Sequence, residues 1–389
     1  MRIVELTAFH VRIPLKRAFK HASHSRTESD NIVVRCVLSD RSVGHGEGLP
    51  RDYVTGETID SSLDLLKKTD LSSQLESCRD FAAALAMAER VQLAAAPGDE
   101  RGCLGNAARC AVELAILDAY GHCYGEPLSL IARAIAPELY QPRETIRYSG
   151  VIASARGVKA RVAMLAMRMY GFRQIKVKVG LPGYDDRKRL RAFRRCAGGR
   201  MVLRVDANEA WKPEEAVGCI RELEPARIAS VEQPLAHEHL EKLPDIRQQV
   251  QTPIMLDESL CGMFDAERAV GLYACDLFNI RLSKCGGFIP SLRLAQYAKR
   301  NGLGYQLGCQ VGESAILSAA GRHFAGSVAD LVAVEGSYDR HLVKEPLSSE
   351  DLTFGWGGKA PLLVGSGLGV SIDASAVERI AARKEQLLG

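Results

Sequence analysis

The segments IKVKVG (175–180), VLRVDAN (202–208), ASVEQP (229–234), IMLDES (254–259) and NIRLSKCGG (279–287) follow one another through the middle of the chain. Each is a short apolar run that closes on a charged side chain: Lys178, Asp206, Glu232, Asp257 and Lys284 in turn. The intervals between these five are 28, 26, 25 and 27 residues, each the length of one strand and one helix with their loops. Short apolar runs alternating with helix-length segments mark repeated βα units and a parallel sheet. Working outward, the runs 146–152, 174–179, 201–205, 228–231, 253–256, 277–282, 304–307 and 330–334 predict a barrel of the (β/α)8 type.

Upstream, apolar and polar residues alternate from Ile3 to Ile13 and from Ile32 to Leu38, with a turn at Ser39-Asp40-Arg41. This pattern predicts an antiparallel meander. Helix-like stretches near 58–70, 80–95 and 105–123 complete an α+β unit. Downstream, 360–371 reads as strand and 374–388 as an amphipathic helix, too small to stand alone and expected to return to the first unit. The expected domains are thus 1–125, 126–355 and 356–389.

A chain of 389 residues exceeds the size at which one core stops growing. The net charge of +4 is small, and its basic run at Arg187 to Arg195 has the spacing of a solvated helix face rather than a nucleic-acid-binding module. Absent a signal-peptide profile or an apolar stretch of membrane length, a cytoplasmic protein with no membrane partner is expected. The 11 cysteines are scattered and never form Cys-x-x-Cys, so they read as reduced thiols. The loop Gly365-Ser-Gly-Leu-Gly369 lacks dinucleotide-site spacing, and no P-loop occurs, so no organic cofactor is expected. The pair His237 and His239 reads as surface.

In a barrel of this kind, strand ends at the carboxyl face build the active site. Three carboxylates, Asp206, Glu232 and Asp257, crowded there imply a neutralising cation. A donor set of oxygens alone favours Mg2+ or Mn2+. A dication holding a substrate carboxylate stabilises the enediolate left when the neighbouring carbon loses its proton. Lys178 suits the base, with Lys176 two residues earlier on the same strand face disfavouring its protonation. Lys284 on the far side of the mouth permits proton return on the other face.

With GHGEG (44–48) in the meander and CAVELAILDAYGHCYGEPL (110–128) before the barrel, these strand ends resemble the muconate lactonizing enzyme subgroup of the enolase superfamily over nearly the whole chain. The resemblance implies a (β/α)7β-type modified TIM barrel under an α+β capping domain completed by the C-terminal tail. It implies Lys176 and Lys178 as the family's Lys-x-Lys, Lys284 as the opposing acid/base, and Asp206, Glu232 and Asp257 as magnesium ligands. Asn208 and Glu258 are their neighbours, and Glu313 resembles an acidic residue of the cycloisomerases. Two loops, 17–31 and 49–58, are implied to close over a small carboxylate substrate, offering His21, His24, Arg26, Arg51 and Tyr53 to it. A homo-oligomer is implied as well.

The chain departs from the family's pattern in three respects. Arg281 replaces the first lysine of a Lys-x-x-Lys, and Glu335 and Ser337 stand where dipeptide epimerases carry Asp-x-Asp. The approach to Glu313 also departs from the cycloisomerases. The expected function is a magnesium-dependent racemase, epimerase or cycloisomerase. β-Elimination, as in the succinylbenzoate synthases, and a non-catalytic metal-binding descendant stay open as alternatives. Acid-sugar dehydration lacks its His and Asp partners.

Overall fold

The computed structural model describes all residues except 21–24 and 154, and omits the side chains of 18–20, 25 and 26. Strands β1 (Ile3–Lys20), β2 (Ser25–Leu38) and β3 (Val43–Gly48) form the expected antiparallel meander. Helices α1 (Ile59–Lys68), α2 (Phe81–Arg90) and α3 (Asn106–Tyr124) follow, then the single turn α4 (Ile131–Ile135). Gly44, Gly46 and Gly48 alternate along β3 and face the Ala107, Ala111 and Ala119 positions of α3. A Cβ at these glycines would fall 2.1 Å from Ala119 N, 2.0 Å from Ala111 O and 1.9 Å from Ala107 O. The GHGEG motif is therefore a strand laid directly on a helix backbone, an approach that excludes any side chain.

After the short strand β4 (Thr145–Arg147) the barrel begins at β5 (Gly150–Ile152). It continues through α5 (Gly157–Met169), β6 (Gln174–Lys178), α6 (Asp186–Ala197), β7 (Val202–Asp206) and α7 (Pro213–Leu223). Next come β8 (Ile228–Glu232), α8 (Leu243–Gln249), β9 (Ile254–Leu256), α9 (Met263–Leu272) and β10 (Leu277–Ile280). The chain then makes α10 (Phe288–Arg300), β11 (Gly304–Leu307), α11 (Ala315–Ser327) and β12 (Leu331–Val334). After β12 only the short α12 (Asp339–Leu342) stands where an eighth helix would be, giving the (β/α)7β form. Strands β5 to β12 form one parallel sheet in sequential order, and Ser149 N–H donates to Val334 O at 2.8 Å to bring its two ends together.

Two expectations need correction. The run 146–152 is not one strand, because Tyr148 N bonds Gly358 O and Ser149 N bonds Val334 O, so the chain changes partners there. Its first half, β4, pairs instead with β13 (Lys359–Pro361), the only strand formed within the expected 360–371 stretch among the described residues. The expected terminal helix also ends early: α13 (Ala374–Arg379) gives way to β14 (Ala381–Leu388), antiparallel to β1. The residues of β14 are mostly good helix formers, and the open edge of β1 overrides that preference.

Three buried carboxylates tie helix starts to neighbouring segments. Glu47 of β3 accepts the N–H groups of Ser314 and Leu317 at the head of α11, at 3.0 and 3.1 Å. Glu113 of α3 accepts those of Phe288 and Ile289 at the head of α10. Glu57 accepts those of Gly105 and Ala107 at the head of α3. The N-terminal end of a helix carries unsatisfied N–H groups and partial positive charge, which these carboxylates meet. Burial nevertheless pushes each of the three up to about 7. All 11 cysteines are free thiols, and no described helix is long and apolar enough to cross a membrane.

Candidate active site

Register builds the rim. Lys178 pairs with Asp206, Asp206 with Glu232 and Glu232 with Met255, so the strand ends form one row, with Asp257 two residues past Met255. Left-handed backbone at Asn208 (φ 43°), Glu209 (φ 65°) and Gln233 (φ 38°) turns the chain away directly after these side chains. Gln233 fixes the next strand end: its Oε1 accepts Asp257 N at 2.9 Å and Ser259 N at 3.1 Å, and its Nε2 donates to Ser259 Oγ at 2.7 Å.

Basic groups interleave the carboxylates. Lys176 Nζ lies 3.5 Å from Asp206, 3.3 Å from Glu232 and 2.7 Å from Glu335. Arg281 pairs with Asp257 and lies 3.7 Å from Glu232 Oε1. Lys284, fully buried, donates to Asp257 O at 2.6 Å, Asp257 Oδ1 at 2.9 Å and Asn279 O at 2.9 Å. Burial alone would lower the affinity of this amine for its proton, but the Asp257 charge raises it overall. Lys178 Nζ donates to Asn208 Oδ1 at 2.6 Å.

Below the rim lies a polar layer that sequence reasoning missed. Arg204 donates to Glu335 at 3.0 Å and Ser149 at 2.8 Å and also pairs with Gln306. Asn279 donates to Glu232 at 2.8 Å. The available signal was Arg204, a charge in phase with Asp206 inside an apolar strand. Glu335 is thereby shared between Lys176 and Arg204, while Ser337 accepts from Arg322 at 3.1 Å.

Among the described residues no three carboxylates, histidines or cysteines converge on one point as a metal cage would require. The donor chemistry still suits a hard dication. Glu232 is pushed up to about 8 by burial and by its neighbours Asp206, Glu335 and Asp257, the repulsion a cation would relieve. Glu258 Oε2 is buried without a hydrogen-bond partner beside them.

The expected loop residues divide. His21 and His24 lie outside the described residues, as does the side chain of Arg26. Arg51 is 2% exposed and is a strut, donating to Asp30 O, Pro50 O and Ser29 Oγ. Tyr53 lines a cavity of about 320 Å3 with Arg101 and His237, whose ring bonds Glu209 at 2.8 Å. His239 is exposed. Glu313 accepts Gln310 N–H at 2.6 Å and is pushed up to about 8 by burial.

Residues 159–376 match the family model described as enolase C-terminal domain-like. The L-Ala-D/L-Glu epimerase of Clostridium acetobutylicum is 31% identical over 334 residues, covering 84% of this chain and 87% of that protein. The structure superposes on the N-succinyl Arg/Lys racemase from Bacillus cereus with a TM-score of 0.84 at 26% identity, over 99% of this chain and 100% of that one. A dipeptide epimerase from Cytophaga hutchinsonii, solved with Mg and D-Ala-L-Val, gives 0.83 at 26% identity, with 100% of both chains covered. The chain belongs to the enolase superfamily and is an enzyme of the isomerase class.

Proposed function

We propose that the protein is a magnesium-dependent racemase or epimerase acting at the α-carbon of a carboxylate whose amine is acylated. One observation carries this reading: Lys178 ends β6 and Lys284 follows β10, four strands away in an eight-stranded barrel and so across its mouth, with the carboxylate row between them. Asp206, Glu232 and Asp257 would hold the metal, which supplies positive charge to stabilise the negative charge that builds on the substrate carboxylate. Lys178 Nζ takes the α-proton, oriented by Asn208. Lys284, held as an ammonium by Asp257, returns a proton to the opposite face. Nζ-to-carbon transfer on two faces is the requirement for inversion.

The acylated amine follows from β12. Glu335 is occupied by Lys176 and Arg204, and Ser337 by Arg322, which leaves no acceptor pair there for a free ammonium. The relatives include both an N-succinyl amino acid racemase and dipeptide epimerases, and the first fits this site better. Proton exchange with D2O, followed by NMR for N-acyl amino acids, dipeptides and muconates with magnesium, tests the proposal. Deuterium at the α-carbon with inverted product is the expected result. An unsaturated product would establish elimination instead, and no exchange across the panel would overturn the reading.

A further inference from the structure

At the opposite, N-terminal mouth of the barrel, β4, the start of β6 and β12 surround a second cavity, of about 330 Å3. That volume suits a small metabolite. Arg143, Arg147 and Arg173 line it, and no carboxylate does. None of the three takes part in an ion pair among the described residues. Two are held by neutral groups: Arg143 Nη1 donates to Val328 O at 2.9 Å, and Arg147 Nη1 to Gly357 O at 3.1 Å. Gln174 donates to Val332 O at 2.9 Å, and its Oε1 is buried with no partner.

Three guanidinium groups around one hollow repel one another. Burial and the nearby Arg173 charge lower the affinity of Arg147 for its proton. Elsewhere in this protein clustered cations meet carboxylates, as at Lys176 and Arg281. Here the wall supplies none, and the planar forks are the geometry that grips carboxylate and phosphate oxygens. We propose that this mouth is a binding site for a small oxyanion, phosphate- or carboxylate-bearing, separate from the proton-transfer rim.

Trp356, 67% exposed, packs at a tilt with its ring 5.1 Å from that of Tyr170 and adjoins the Gly357 carbonyl that anchors Arg147, so it reports on the site. The experiment titrates the full chain with inorganic phosphate, and separately with citrate, against sodium chloride at equal ionic strength. Tryptophan emission and melting temperature are read in each. A saturable change is expected for at least one oxyanion, lost from the emission in Trp356→Phe. The stronger of the two identifies the head group. Arg147→Gln with Arg173→Gln should weaken binding at least about tenfold. Arg173 is exposed and its side chain makes no hydrogen bond among the described residues, so Arg173→Gln alone keeps the fold and should also weaken binding. A wild-type response no larger than that to chloride, or an undiminished response in both variants, would overturn the proposal.

Discussion

The Glu113 carboxylate on α3 receives the backbone N–H of Phe288, the first residue of α10, four residues beyond Lys284. A Cβ on the intervening Gly287 would fall 2.1 Å from Glu113 Oε2, at φ 130°, so the two positions specify each other. A side chain of the N-terminal unit thereby sets the loop that carries a proposed acid.

The burial of Glu113 gives a pH dependence. The ordinary Glu value is 4.5, and burial raises Glu113 to about 7. Between these values the unfolded chain releases a proton that the folded chain keeps, so this contribution is full below 4.5 and is lost as pH rises through about 7. Glu47 and Glu57 act in the same direction and window, whereas His45, lowered to about 4 by burial, opposes them. Melting temperatures across that window should show a shallower fall in Glu113→Gln than in the wild type. An unchanged slope would refute the assignment.

The two lysines should fail differently. Tested with each enantiomer in turn, Lys178→Met should slow exchange from the enantiomer whose α-proton faces Lys178 and largely spare the other, and Lys284→Met should do the reverse. General acid–base groups contribute about 10²–10⁴-fold, so the losses should be of that order. Equal loss with both enantiomers in both variants would argue against two-faced chemistry.

Magnesium should stabilise the wild type. Binding to the folded form alone adds about 2.7 kcal/mol at one hundred times Kd. Calorimetric melts over a magnesium series should rise and saturate, and Asp257→Asn should flatten the series. A wild-type melting point indifferent to the metal would count against Asp206, Glu232 and Asp257 as its holders.

Glu335→Gln separates a brace from a substrate contact. Lys176 and Arg204 share this carboxylate at 2.7 and 3.0 Å, and removing one partner of a buried ionic group costs about 3–5 kcal/mol. The expected outcome is a large drop in denaturation midpoint. A rise in KM with unchanged stability would instead make Glu335 a substrate contact.

The row of Lys178, Asp206, Glu232, Asp257 and Lys284 is legible in the chain because charges interrupt apolar runs at nearly constant intervals. Gln233 and Asn279 are not, since a single amide in or after a strand has no period, and their partners come from other strands. The GHGEG glycines stand out, but their reason appears only when α3 lies against β3. The final strand misleads because its residues favour helix locally, while a distant edge decides the outcome. The split of 146–152 is hidden for a similar reason: the exchange of partners at Tyr148 and Ser149 is made with residues near 334 and 358.

The pairing of β14 with β1 joins the two ends of the chain in one sheet. During synthesis, at about 5–20 residues per second, β1 emerges before the barrel and its outer edge finds its mate only after every barrel strand has been made. For most of that interval the nascent protein presents a long unpaired strand, the kind of surface that recruits other chains. A circular permutant that links β14 to β1 through a short loop would shorten the wait, and should refold faster with less aggregation.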